Sequence, residues 1–239
     1  MSPDDGWYRP RLQKMPGMKI LRNRYVQDCR TFPADAALAY RLAGMSGVWD
    51  ALAQRTLHRV VRTGHIMIFA QLLDSAPRVL PPPGVLIRPL GDDDWPLLAG
   101  IVTQRDLARF RTLAAAGRHG LVAWRDAQPI GYGWVAETVG PDVTAYPLSL
   151  PPYAAYLWDL YVVPRERSNG IGSALASARL RLALERGFRE GWRMISPSNA
   201  ASLRTLARGA TETRLIGEVR FIKVLARVHA RFTPAARPG

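Results

Sequence analysis

Between Leu160 and Leu175 the chain reads Leu-Tyr-Val-Val-Pro-Arg-Glu-Arg-Ser-Asn-Gly-Ile-Gly-Ser-Ala-Leu. An apolar run is stopped by Pro164, a basic loop carries Gly170 and Gly172, and a helical pattern follows. Glycines let the main chain approach an oxyanion, and a helix N-terminus aims free N–H groups and partial positive charge at it. Arg167 adds a fixed cation, so the segment has the makings of an anion cradle. Just upstream, Asp159 is the only acid in the apolar stretch 155–163. An unpaired buried carboxylate is costly, so Asp159 needs either an arginine partner or a task such as accepting a proton. Strand alternation places it on the same face as Leu157, Tyr161 and Val163.

Other phosphate loops fit less well. The dinucleotide fingerprint requires a third glycine where this chain has Leu175, and the P-loop requires Gly-Lys-Ser/Thr where Gly172 is followed by Ser173-Ala174. Downstream, Asn199 follows Pro197-Ser198 and suits a helix N-cap. Cys29 is the only cysteine, and His58, His65, His119 and His229 are scattered without ligand spacing, so no metal is expected.

The elements that hold these residues alternate. Pro81-Pro82-Pro83-Gly84 ends a stiff linker from Ser75, because three prolines fit neither a helix interior nor a central strand. Before it, one or two helices are expected over 36–61, interrupted near Gly44–Gly47, and a short buried strand over 65–73. After it, a strand covers 85–88, and Asp92-Asp93-Asp94 caps a helix through about Val102. A second helix runs over 105–116. A hairpin joins 119–124 to 130–136 around Asp126–Pro129, and 138–152 is a long Pro/Gly loop. Then come a strand at 155–163, a helix at 171–186 closed by Gly187, a strand at 192–195, a short helix at 200–208 and two strands within 213–228. The order β-α-α-β-β-β-α-β-α-β-β gives an α/β class with a mixed, partly antiparallel sheet flanked by helices. Residues 1–84 read as an N-terminal helical and strand extension of unknown role, 85–230 as the main domain, and 231–239 as a tail.

The chain has 239 residues, 48% hydrophobic and 22% charged, which is enough apolar material for a core and unlike a disordered chain. No apolar run is long enough to span a bilayer, and the first residues lack a secretory h-region, so a cytoplasmic protein without a membrane partner is expected. The net charge is +14, but 30 of the 33 bases are arginine, which suggests a compositional bias rather than a phosphate surface. The excess is uneven: +7 over 1–90, −3 over 91–164 and +10 over 165–239. It gathers where the anion cradle lies. No recognised nucleic-acid motif accompanies it, and nucleic acid is not expected as a partner.

With Arg167, Gly170 and Gly172 matching Arg/Gln-x-x-Gly-x-Gly/Ala, and Leu160, Val162 and Pro164 matching the preceding Leu-x-Val-x-Pro, the chain resembles the GNAT superfamily of acyl-CoA-dependent N-acetyltransferases. Asn199 and Ser202 match the Asn-x-x-Ser that often opens that family's next helix. The resemblance covers about 145 residues from Val85 and is strongest over 157–206. It implies a GNAT-like fold and acetyl-CoA as co-substrate, with the N–H groups of Ser168, Asn169, Gly170, Ile171, Gly172 and Ser173 on the pyrophosphate beside Arg167. It further implies that Val162 and Val163 pair with the pantetheine arm, one N–H polarising the thioester carbonyl. Asn199 would contact pantetheine or a water at the attacking group, and Ser202 would lie near the thiol end.

The acceptor implied is a primary amine, on a small molecule or a protein. Near neutral pH only about 10⁻³ of such an amine is free base, an obstacle of roughly 4 kcal/mol, and Asp159 is the candidate to remove the proton. Many relatives protonate the departing thiolate with a tyrosine where this chain has Leu206; Tyr161 or Ser202 could substitute. The acceptor would enter over the 138–152 loop, beside Tyr146, Tyr153, Tyr156 and Trp158. Three rivals stand beside acetyl transfer: a non-catalytic acyl-CoA-binding or regulatory module, an acyltransferase fed by an acyl carrier protein, and a nucleic-acid binder. Homodimerisation is left open.

Overall fold

In a computed structural model, the structure describes residues 33–42, 44–46, 48–49, 52, 61–74, 76, 78–139, 150–208, 212–224 and 227–236. Among the described residues eight strands follow in chain order: β1 (Val61–Leu72), β2 (Leu86–Pro89), β3 (His119–Arg125), β4 (Gln128–Ala136), β5 (Ala154–Val162), β6 (Glu190–Ile195), β7 (Thr213–Val224) and β8 (Arg227–Pro234). The helices between them are α1 (Trp95–Leu98), α2 (Gln104–Ala115), α3 (Ile171–Glu185) and α4 (Ala200–Arg208), and residues 33–42 are also helical. All strands join one sheet in the order β2-β3-β4-β5-β6-β1-β7-β8. Every neighbouring pair is antiparallel except β5 and β6, which run parallel. The mixed α/β sheet expected from the sequence is thus present. No helix among the described residues is long and apolar enough to cross a membrane.

The segment ahead of the prolines supplies a central strand. β1 pairs with β6 on one side and β7 on the other, so the closing hairpin does not pair with β6 and reaches it by the Arg214–Glu190 ion pair at 2.6 Å. Ile68, Ala70 and Gln71 of β1 are buried. Ile68→Ala is therefore expected to cost about 2–5 kcal/mol in a urea melt, as for a large-to-small change in a packed core. A value near zero would mean that the strand packs only peripherally. The hairpin is longer than expected, with β8 reaching Pro234 into the presumed tail.

Two turns differ from the sequence expectation for local reasons. Between β3 and β4 the turn is only Asp126 and Ala127, both left-handed (φ 48° and 60°), a twist that matches the flanking strands better than a four-residue turn. The helix expected through Val102 closes at Leu98. Asp92–Asp94 form a 3-10 turn, and Asp94 reaches backward to accept the Gly91 N–H (2.7 Å) and both Arg88 Nη atoms (2.6 and 2.7 Å). The chain then turns tightly, Gly100 N–H to Leu97 O and Ile101 N–H to Leu98 O, before Thr103 caps α2 by accepting the Asp106 N–H.

Arg88 holds the Asp94 carboxyl below the usual carboxylate range, helped by the Gly91 N–H and opposed by burial. A carboxyl depressed in the folded state stabilises above its unfolded value, near 4, and ceases to do so as pH falls through the folded value. Asp94→Asn should therefore lose about 1–3 kcal/mol at pH 7, the scale of hydrogen bonds to a charged group. Melts at decreasing pH should show the variant and the parent converging below about pH 4.

α2 covers one face of the sheet, where Phe110 meets the Tyr132 and Trp134 rings at 5.1 and 5.0 Å. α3 packs against β3, β4 and β5, with Ile171, Leu175 and Leu180 fully buried.

Candidate active site

The site is built around an irregularity in β5. Tyr132 faces Tyr161 and Trp134 faces Trp158, so Gly133 alone opposes Asp159 and Leu160. This is a β-bulge, and Asp159 takes it up with a left-handed φ of 50°. Asp159 and Leu160 have no ladder partner on β4. The extra residue also reverses the side-chain alternation. Leu157 packs with Val135, Leu180 and Ala183, whereas Tyr161 stacks on Tyr132 at 5.4 Å. The expectation that Leu157, Asp159, Tyr161 and Val163 share a face therefore fails, because strict alternation does not survive a bulge. Arg179 of α3 lies against the bulge here. A Cβ at Gly133 would lie 2.7 Å from its Cδ, and its Nη1 donates to Trp158 O at 3.0 Å.

Beyond the bulge the sheet opens. β5 and β6 pair only over Ala154–Tyr156 and Glu190–Trp192 and then diverge. The wedge between them holds a cavity of about 280 Å³ whose walls include Asp159, Arg179, Arg193, Asn199, Ser202 and Thr205. Tyr156 and Trp158, expected on the aromatic side, are buried in the same walls, and the Trp158 ring stacks on Trp134 at 5.7 Å. Tyr153 is exposed.

The Asp159 carboxylate is hydrogen-bonded and ion-paired with Arg109 of α2. The Arg109 guanidinium lies 5.3 Å from the Trp158 ring centroid and 5.2 Å from that of Phe110. Burial pushes the Asp159 carboxyl above its usual value, and Arg109 pulls it back only in part. An aspartate so placed has a partner and is also a stronger base than one in water.

The glycine loop adjoins the other end of β5. Pro164–Glu166 make a 3-10 turn, and Gly170 caps α3 with φ 79°, a conformation only glycine adopts readily. Ser168 is left-handed as well (φ 66°). The first-turn N–H groups of Ile171, Gly172 and Ser173 have no intrahelical acceptor, and no other described main-chain carbonyl takes them. A Cβ on Gly172 would meet only Val162 Cγ2 and Leu160 Cδ2, at 3.9 and 4.0 Å, so its outer side is open. These residues fit the phosphate end of a nucleotide-like ligand. Arg167 is held beside them, Nε donating to Val162 O at 3.0 Å and guanidinium 5.8 Å from the Tyr161 ring centroid.

Of the residues expected at the site, the structure gathers Asp159, Asn199 and Ser202 in the wedge. Asn199 caps α4, its Oδ1 accepting the Ser202 N–H at 3.0 Å, so the capping role is present within the wedge wall. Val163 is withdrawn from the pantetheine-facing role: its N–H is donated to Ile130 O of β4 at 3.0 Å. Successive residues of a strand point their main-chain groups to opposite sides, which leaves Val162 facing the open edge. Tyr161 stands outside the wedge walls, and burial raises its phenol above the usual range. Leu206 is buried.

Sequence reasoning missed Arg109, Arg179 and Arg193. A signal existed for Arg179, since Ile171, Leu175, Arg179 and Ala183 recur at helical spacing on the buried face of α3. The acceptor-entry loop over 140–149, with Tyr146, lies outside the described residues, as does Cys29.

Comparison with known proteins adds to this geometry. No curated protein matches the sequence. Among solved structures, a Drosophila protein is similar at 16% identity and TM-score 0.53, over 75% of this chain and 58% of that one. The GCN5-related glucosamine N-acetyltransferase region of a fungal multi-domain β-N-acetylglucosaminidase is similar at 12% identity and TM-score 0.51, over 74% of this chain and 22% of that one. The chain thus spans less than two thirds of either protein, and at these identities the likeness is one of fold. The family model described as acetyltransferase (GNAT) matches residues 87–210, from β2 to the end of α4, just over half of the chain. Bulge, wedge and glycine loop all fall inside that match, and the chain belongs to the GNAT acetyltransferase family.

Proposed function

We propose that the protein transfers an acetyl or similar acyl group from acetyl-CoA, the co-substrate its family uses, to a primary amine by direct attack in a ternary complex. The observation that carries this reading is the opening of β5 from β6 beside an unpaired helix N-terminus, which offers one cleft with a phosphate end and a reactive end. The N–H groups of Ser168 to Ser173 bind the pyrophosphate, and Arg167 adds charge. The Val162 N–H, its carbonyl being taken by Arg167, bonds the pantetheine arm along the open edge of β5. The thioester then lies in the wedge, where the unpaired main chain at the bulge supplies an oxyanion-type donor.

The amine nitrogen attacks the thioester carbon while Asp159, directly or through water, takes its proton. The C–S bond breaks, and the thiolate takes a proton from Ser202 or solvent. Ser202 is the stronger candidate here because Tyr161 lies outside the wedge. A small-molecule or protein amine serves as acceptor, and a cytoplasmic setting belongs to the same proposal.

Initial rates of thiol release, with acetyl-CoA and amine both varied, test this. Direct attack predicts intersecting reciprocal plots. Parallel plots would replace it with an acyl-enzyme route. Absent release across a broad amine panel would leave a non-catalytic acyl-CoA-binding module, and amine-independent release would mean hydrolysis of the thioester by water in place of amine acylation.

A further inference from the structure

Arg179 and Arg193 are 3% and 5% exposed, and both line the wedge. Neither makes a hydrogen bond or ion pair to a carboxylate among the described residues; Arg179 feels the Asp159 charge at longer range, whereas burial alone acts on Arg193. Arg179 spends Nη1 on Trp158 O, and its Nε has no partner. Arg193 is barer: Nε and Nη2 are both buried without a partner. Those two atoms share one edge of the guanidinium, the edge that grips a carboxylate in a two-bond fork. Burial pulls Arg179 down to about 9, with Arg193 contributing repulsion, and burial pulls Arg193 down to about 10. Both still carry charge at neutral pH. Asp159, the one carboxylate among the cavity's described walls, is engaged by Arg109.

Two adjacent buried cations with unpaired donors are unfavourable unless an anion joins them. Bridging the bulge explains Arg179. It does not explain Arg193, whose place in β6 an apolar side chain of similar length would fill without the charge.

We infer that the floor of the wedge is a carboxylate-binding site, in which the free edge of Arg193, assisted by Arg179, holds a carboxylate carried by one of the two reacting partners. That carboxylate belongs either to the acyl group of a dicarboxylic acyl-CoA or to an amino-acid acceptor. The inference rests on the acyl-transfer reading only for the identity of the ligand, since the unpaired donors and the cavity stand without it. The site selects substrates: a polar pocket built for a charged group rejects the analogue that lacks it, because its donors are then left unpaired.

The test uses the whole chain and its Arg193→Met variant in three arms. Melting temperature is measured with and without succinate. Calorimetry compares succinyl-CoA with acetyl-CoA. With acetyl-CoA present, amino acids are titrated against their carboxamides. A preference of at least about tenfold for the carboxylate form in the second arm assigns the site to the donor, and in the third arm to the acceptor. Arg193→Met should abolish that preference while still binding CoA. Stabilisation of the parent by succinate without any CoA binding would keep the carboxylate site and overturn the acyl-transfer reading instead. Absence of a carboxylate effect in the parent protein in all three arms overturns the inference whether or not the variant folds. So does a preference that survives Arg193→Met.

Discussion

Gly172→Glu is expected to weaken CoA binding at least about a hundredfold, the equivalent of some 2.7 kcal/mol, with the melting temperature nearly unchanged. The first half follows from charge. A carboxylate at the second position of α3 would sit among the N–H groups left free for a phosphate, repelling the ligand and filling its place. The second half follows from space. The added Cβ meets nothing closer than 3.9 Å, and the longer side chain extends into the open cradle. Calorimetry with CoA, beside a thermal melt of the same sample, measures both. Unchanged affinity would remove the 167–173 loop from the phosphate role.

Asp159→Asn carries the other large effect. The amide keeps the shape of the carboxylate but loses its basicity, so kcat/KM should fall by roughly 10²–10⁴ at pH 7, with CoA affinity preserved. The defect should shrink at higher pH as more amine arrives deprotonated. Stability separates this from a purely structural role. The Asp159 carboxyl is raised in the folded protein, so any stability it contributes is present below its unfolded value and lost as pH rises through the folded one. At pH 7 the variant should therefore melt no lower than the parent, and Arg109, 39% exposed, can be rehydrated. If the pair with Arg109 were only structural, the variant would instead lose about 3–5 kcal/mol and keep its activity per folded molecule.

What the sequence made legible was local. Pro164, Gly170 and Gly187 punctuate the turn and helix around the glycine loop because each restricts or frees one backbone angle, a property of single residues. The apolar stretch ending at Val163 could be read as a strand for the same reason. Its interior could not. The bulge at Asp159 lies opposite Gly133, 26 positions earlier, and against the Arg179 side chain, which packs on Gly133 and bonds Trp158 O. That one inserted residue moves Tyr161 away from the face of Leu157. The place of β1 was hidden likewise. The pattern of 65–73 announces a buried strand, but its neighbours β6 and β7 lie more than a hundred residues downstream, and no local signal names them. Arg193 escaped notice because a charge inside Glu190–Ile195 looks like an ordinary outward-facing residue until both neighbouring elements are in position.

Native mass spectrometry of the whole chain with acetyl-CoA, before and after addition of an amine panel, tests acyl transfer most directly. One acetyl-CoA bound per chain, converted to bound or released CoA with matching N-acetylated amine only when an amine is present, is the expected result. A chain that binds no acetyl-CoA, or that holds it unconverted across the panel, would contradict the assignment of this cleft to acyl transfer.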